Sequence, residues 1–368
     1  MIWTILPVSR IFFQKGVHLL IPSDELVNFL RRCVKEHIGP YREVHVPVMP
    51  AGQDSPHATL APLREDSRPA LDGHRAVDPA KLLVYRVRER VEPFGADHPP
   101  SLLAGVKACD LKALEILDRA LINEDFVDPA YRSWRESTTV LSFDCTDTAP
   151  TCHCTLAGGK PYAETGFDAN AARFGSHYFL SAATNKGRAL LDLVRRHVRA
   201  DTTHEQIPAA VEARRAEMTA RVESQNASFA RSGEYGRLRA SPPEGWKEES
   251  RECVGCGACT HICPTCYCLI LNEEGRDGSF AKVRSYDSCQ LHGYARVASG
   301  ASPRPRVDER FRHRYLCKFV FMNKEFGNLG CTGCGRCTEA CPGGIEFRSV
   351  VRDLMETPPG GRPAAGAG

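Results

Sequence analysis

Apolar residues alternate between strand-like runs and helix-like stripes over the first two-thirds of the chain. Leu26, Phe29, Leu30 and Cys33 recur at helical spacing, which predicts an opening helix over residues 24–33 with Ser23 as its cap. Residues 47–79 are rich in Pro, Gly and Asp and read as loop. Leu82 to Val87 and Leu102 to Lys107 read as strands. The second is followed at once by a helical stripe at Leu111, Leu114, Leu117 and Leu121, with Asp110 at the capping position. Thr138 to Phe143 and His177 to Ser181 read as further buried strands. Strands alternating with helices predict an α/β domain with a mainly parallel sheet. Residues 208–229, rich in Ala, Glu and Arg with weak apolar spacing, predict an exposed connecting helix, and residues 241–245 a hinge. The expected layout is a loose extension at 1–16, the α/β domain at 17–204, a connector at 205–245, a second domain at 246–356 and a disordered Pro-, Gly- and Ala-rich tail at 357–368.

Charge narrows the function classes little. With 48 basic and 45 acidic residues among 368, bulk electrostatics do not suggest nucleic acid. No stretch approaches membrane-spanning length; Met1 to Phe13 is apolar in patches but holds Pro7 and Arg10 and lacks a small-residue cleavage site. The 17 cysteines change the picture. The number is odd and the chain is far too long for a disulfide scaffold, so the usage points to metal or redox chemistry in a reducing cytoplasm, as in an anaerobe.

Two stretches carry that chemistry: Cys253-x2-Cys256-x2-Cys259-x3-Cys263-Pro264 and Cys331-x2-Cys334-x2-Cys337-x3-Cys341-Pro342. This is the ligand spacing of a two-cluster bacterial-type ferredoxin, in which three thiolates on a tight loop reach one 4Fe–4S cubane and the fourth reaches the other. The topology assigns Cys253, Cys256, Cys259 and Cys341 to one cluster, and Cys331, Cys334, Cys337 and Cys263 to the second. Glycines at 255, 257, 333 and 335 let the backbone curl round an inorganic core. Zinc also accepts four thiolates, but its sites rarely use such a run. The second domain is thus expected to be an α-helical ferredoxin-type domain with an insert of 67 residues between Cys263 and Cys331.

Other cysteines extend the pattern. Cys109 and Cys145 each follow a predicted strand, and Cys152 and Cys154 stand in the next loop. At the carboxyl edge of a parallel sheet, where ligands bind, these four could hold a third cluster; zinc, free thiols or small core residues remain the alternatives. His153 reads as an exposed loop residue. Cys266, Cys268 and Cys289 are possible additional ligands or structural thiols, and Cys317 comes later in the insert. The insert also holds Arg304, Arg306, Arg310, Arg312, His313, Arg314 and Lys318 beside an apolar stripe of Phe311, Tyr315, Phe319, Met322 and Phe326. The stripe reads as a core face. The cations read as a solvated face, or else as a docking patch for an acidic partner, centred on Arg310 to Lys318.

Several segments together resemble one family. Gly105-Val106-Lys107-Ala108-Cys109-Asp110, Cys145, Thr151-Cys152-His153-Cys154, Cys263-Pro264-Thr265-Cys266-Tyr267-Cys268, Asp287-Ser288-Cys289 and His313-Arg314 resemble the beta subunit of cytoplasmic sulfhydrogenase and, equally, the iron–sulfur subunit of anaerobic sulfite reductase. The likeness runs in order from about residue 17 to residue 355. It departs at Lys107-Ala108, where Arg-Pro or Arg-Ser is frequent, and at His153, where an aromatic is common. The resemblance implies an iron–sulfur relay in a soluble, cytoplasmic oxidoreductase complex, between a flavin subunit that oxidises NAD(P)H and a catalytic subunit of the hydrogenase or sulfur/sulfite reductase type. No Gly-x-Gly-x-x-Gly follows a strand and no P-loop is present, which fits an electron-transfer subunit rather than the catalytic one. The competing reading is a stand-alone reductase of a sulfur compound, acting at an incompletely ligated N-terminal cluster.

Overall fold

The computed structural model describes residues 18–50, 57–92, 98–199, 206–229, 235–276 and 278–356. The expected N-terminal extension and C-terminal tail fall outside these residues. The first domain runs β1 (His18–Pro22), α1 (Ser23–Lys35), β2 (Glu43–Met49), β3 (Thr59–Pro62), β4 (Arg68–Pro69), α2 (Lys81–Val84), β5 (Arg88–Glu92), β6 (Ser101–Val106), α3 (Ala108–Leu121), α4 (Pro129–Ser137), β7 (Thr138–Phe143), β8 (Ala169–Phe174), β9 (His177–Ala182), α5 (Asn185–His197) and α6 (Gln206–Gln225). The main sheet has the order β1-β9-β8-β7-β6-β2-β3, with β4 beside β2.

The sheet is mixed, not mainly parallel. Its centre, β2-β6-β7-β8, is parallel. Its flanks are antiparallel. The cause on one side is local: only Gly175 and Ser176 separate β8 from β9, and a two-residue connection forces a hairpin. β6 and β7 are buried throughout because both faces of the sheet are covered. Leu102, Ala104, Leu141 and Phe143 pack with α1 and α5 on one face. Leu103, Val106 and Val140 pack with α3 and α4 on the other. A bulge between Ala104 and Val106 puts Leu103 and Val106 on one side despite their odd spacing.

Local differences from the pattern have tertiary causes. The run from Leu82 to Val87 was expected as a strand, but its first half is the helical turn α2. That turn sets Lys81 and Tyr85, four residues apart, on one face toward residues 261–267. There Lys81 donates to the Cys263 carbonyl at 2.8 Å and Tyr85 to the Tyr267 carbonyl at 3.0 Å. Lys107, not Asp110, precedes α3; Asp110 lies in its first turn, committed to an ion pair. Ser23 opens α1 but gives its hydroxyl to the Ser176 carbonyl, so it is no cap. Nor is α6 an exposed connector: Ile207, Val211, Met218 and Val222 are buried, and Arg215 pairs with Asp144 at 2.7 Å.

The second domain holds α7 (Pro243–Glu249), α8 (Ala258–His261), the hairpin β10 (Leu269–Arg276) and β11 (Ser279–Tyr286), α9 (Val307–Leu316), a π-helical turn Cys317–Phe321, α10 (Met322–Phe326), α11 (Arg336–Glu339) and α12 (Phe347–Glu356). The expected hinge at 241–245 is folded into its core, where Trp246 meets Phe311, Tyr315 and Leu354. The domain is not purely helical. The insert forms the hairpin, and β11 pairs with β5 of the first domain. The two domains are therefore stitched by a shared three-stranded sheet. Among the described residues no helix is long and apolar enough to cross a membrane.

Candidate metal centres

The two cysteine motifs fold as the same unit twice. In each, a left-handed glycine (Gly257 at φ +78°, Gly335 at φ +75°) opens a single helical turn, α8 or α11. Two residues earlier stand Gly255 at φ +66° and Gly333 at φ +67°. Gly333 donates its N–H to the Cys331 sulfur at 3.4 Å, and Gly255 bonds Cys253 in the corresponding way. Such N–H···S bonds steady a thiolate and tune a cluster. Cys253, Cys256, Cys259 and Cys341 line one cavity, closed on its inner side by Phe311 and Tyr315. Cys331, Cys334, Cys337 and Cys263 form a second group, since Cys331 lies within electrostatic reach of the other three. Cys259 and Cys263 act on each other's neighbourhood, so the two groups adjoin.

Cys109, Cys145, Cys152 and Cys154 are brought together at the carboxyl edge of the parallel strands. β6 and β7 are parallel neighbours, so the residues just past their ends, Cys109 and Cys145, emerge on the same edge. Cys109 feels Cys145 and Cys334, Cys145 feels Cys152 and Cys154, and Cys152 feels Cys334. This group therefore abuts the Cys334 loop of the other domain. The join is tight. His153 N–H donates to the Gly333 carbonyl at 2.8 Å. A Cβ on Gly333 would fall 2.4 Å from Cys154 Cα, and one on Gly335 2.4 Å from the Thr151 carbonyl. These glycines serve the domain joint as well as the loop. His153, expected to be exposed, is buried at 5% exposure. Its Nδ1 faces the Thr151 carbonyl at 2.9 Å and its Nε2 lies 3.7 Å from the Cys331 sulfur.

A third gathering involves Cys266, Cys268 and Cys289, and it includes Cys317. The sulfur of Cys268 feels Cys317, that of Cys289 feels Cys268 and Cys317, and that of Cys266 lies against Cys263. The backbone explains the meeting: Leu269 faces Tyr286 across the hairpin, and Asp287 N–H donates to the Cys268 carbonyl at 2.9 Å. Residues 268 and 289 therefore stand side by side at its base.

The basic helix of the insert points inward, contrary to both readings of its charge. Arg310, Arg314 and Lys318 are buried. Arg310 donates to the carbonyls of Gln290, Arg304 and Pro305. Burial works against the charge of Arg314, yet Cys259 and Cys337 hold its pKa well above the usual range. Burial likewise opposes Lys318, which Cys263, Cys266 and Cys317 hold high. Lys318 Nζ donates to Thr265 Oγ1 at 2.6 Å, and that hydroxyl lies 3.2 Å from the Cys263 sulfur. Arg336, also buried, forms a two-bond pair with Asp110 at 3.0 and 2.8 Å beside Cys334 and Cys109. Sequence reasoning missed these cations. Their signal was periodicity: 310, 314 and 318 share one face with the apolar stripe.

All 17 cysteines are free thiols. Burial pushes Cys331 and Cys154 up to about 12 and Cys337 to about 11, so thiols this deep stay protonated until iron displaces the proton. Cys263 shifts downward instead, through a hydrogen bond from Cys266 and then the charge of Lys318. Among the described residues no three His, Cys, Asp or Glu groups converge closely enough for a single ion. The ligands of a cubane stand wider, one thiolate to each iron. The donor set fits a cubane on three counts: soft thiols in fours, N–H groups aimed at sulfur, and buried cations to offset an anionic cluster.

Residues 252–345 match the family model of the 4Fe-4S dicluster domain. The match spans both cysteine motifs and the insert. Sulfhydrogenase 2 subunit beta of Pyrococcus furiosus is 29% identical over 297 residues, 78% of this chain and 86% of the relative. The chain resembles a sulfhydrogenase beta subunit. The resemblance covers both domains, so it carries the N-terminal cysteines as well as the ferredoxin-type pair.

Proposed function

We propose that this chain is the iron–sulfur relay of an oxidoreductase complex. It takes electrons from a flavin-bearing, NAD(P)H-oxidising subunit. It passes them to a catalytic subunit of the hydrogenase or sulfur/sulfite reductase type. Cys253, Cys256, Cys259 and Cys341 would hold one 4Fe–4S cluster. Cys263, Cys331, Cys334 and Cys337 would hold the second, and Cys109, Cys145, Cys152 and Cys154 a third. Bound there, a cubane supplies one-electron storage without bond making. The chain's residues do the rest. Gly255 and Gly333 give N–H bonds to sulfur, Arg314 and Arg336 supply buried positive charge, and the β5–β11 pairing fixes the groups relative to one another.

The observation that carries this reading is contiguity. Cys334 lies beside Cys109 and Cys152, while Cys263 lies in reach of Cys337, which in turn feels Cys259. The three groups thus form one line across the domain joint, ending at Cys256, which is exposed. A stand-alone reductase would need an iron with an open position, and four thiols gathered at the N-terminal group argue against one. The reading is tested by anaerobic purification with whatever subunits travel along, each identified by mass. A flavoprotein and a catalytic metalloprotein should co-purify. A chain that purifies alone and reduces sulfite with NAD(P)H would overturn it.

A further inference from the structure

We infer that Cys266, Cys268, Cys289 and Cys317 form a fourth 4Fe–4S site, with the π-helical turn supplying its last ligand. The inference rests on the relay reading and adds a ligand set to it. Cys266 and Cys268 follow the first motif directly, in Cys-Pro-Thr-Cys-Tyr-Cys. Cys289 is set beside Cys268 by the base of the β10–β11 hairpin. Cys317 comes from a separate helix, and its sulfur acts on Cys268, Cys289 and Tyr267.

The local backbone is built around Cys317. The chain leaves α9 there and winds into a π turn, Cys317–Phe321, a feature that gathers at functional sites. The Lys318 carbonyl accepts instead from Gly330 N–H at 2.6 Å, in the loop leading to Cys331. The turn presents Cys317 to the hairpin cysteines and, one residue on, sends Lys318 inward.

The surroundings are those of an anionic centre. Lys318 is 2% exposed and Lys81 is 1% exposed. Lys81 donates to the carbonyls of His261, Cys263 and Cys266, and both ammonium groups lie within electrostatic reach of Cys266. Two buried ammonium groups beside neutral thiols would be a poor arrangement; beside four thiolates bound to iron they are compensated. Polar groups also reach sulfur. Gln290 Nε2 lies 3.4 Å from the Cys289 sulfur and the Tyr294 hydroxyl 4.0 Å from that of Cys268. Cys266 lies against Cys263 of the second ferredoxin group, so the fourth site joins the line at that loop. On its other side stand the exposed residues Leu291 and Val297. The relay would then have a third arm.

The test is iron counting on the full chain, purified anaerobically, against Cys317→Ala, Cys268→Ala, Cys145→Ala and Cys33→Ala. Cys33 is a core thiol of α1 packed among Leu26, Phe29 and Leu30 and serves as the control. Four cubanes predict about 16 irons per chain, falling by about four in Cys317→Ala and in Cys268→Ala, with one reduced-cluster EPR signal lost and circular dichroism unchanged. Cys145→Ala should lose about four different irons, and Cys33→Ala none. If either Cys317→Ala or Cys268→Ala fails to fold, the other decides. A chain with about 12 irons, indifferent to Cys317→Ala, would overturn the fourth site and leave the relay standing. One zinc per chain, lost on Cys317→Ala, would likewise overturn it. Iron well below about eight would instead sink the relay reading itself.

Discussion

Replacing Lys318 with methionine should lower the reduction potential of the cluster that Cys263 would ligate. The ammonium stands 2.6 Å from Thr265 Oγ1, which stands 3.2 Å from the Cys263 sulfur, so those two legs put it within 5.8 Å of that sulfur. The cluster centre lies deeper, at about 8 Å. A unit charge at that distance, with an effective dielectric constant of about 20, is worth about 2 kcal/mol. For one electron this is about 90 mV. Because Lys318 is buried, salt should screen little of it. An added electron loses a stabilising positive charge, so the variant's potential moves down. The assay is an anaerobic potentiometric titration followed by EPR on the iron-loaded chain, with exposed Lys324→Met as the control. Iron content and circular dichroism must match the wild type. A shift below about 30 mV, or an upward one, would refute the claim that Lys318 offsets cluster charge.

Two further predictions concern the joint between the domains. Gly333→Ala should cost about 2–5 kcal/mol, combining left-handed strain with a backbone clash against Cys154 and His153, whereas Gly344→Ala, left-handed but with open space around it, should cost only about 1–2. Denaturant midpoints compare the two; equal losses would show that the clash is not felt. Arg336→Met should cost about 3–5 kcal/mol by leaving Asp110 buried and unpaired, and adding Asp110→Asn should recover part of the loss. If the double variant is no better than the single one in chemical denaturation, the pair is not what Arg336 provides.

What could be read in the sequence was local. Ligand spacing is set within a dozen residues, so the two ferredoxin-type motifs and their glycines were legible, and so were β6, α3 and β7, which run as long periodic segments. The Cys109 and Cys145 positions followed because a strand end is also local. The rest depended on what packs against what. The sheet's antiparallel flank hung on a two-residue turn at Gly175 and Ser176. The apolar run at Leu82 was too short to tell a strand from a helical turn, and Lys81 decided it by reaching the Cys263 carbonyl. Arg310, Arg314 and Lys318 looked like a solvated face because charge normally is; only a gathering of thiols makes their burial sensible. Cys317 has no partner at a telling spacing, and nothing but the folded hairpin brings it to Cys268.

The relay claim is tested most directly by electron uptake and release in the isolated chain. The protein is purified anaerobically, reduced with an artificial one-electron donor, and mixed rapidly with an oxidised one-electron acceptor while cluster absorbance and EPR are followed. The account predicts that cubane signals appear on reduction and vanish on mixing, while NAD(P)H alone leaves them oxidised and sulfite alone leaves them reduced. Reduction of the clusters by NAD(P)H without a flavin partner, or steady turnover of sulfite by the single chain, would contradict it.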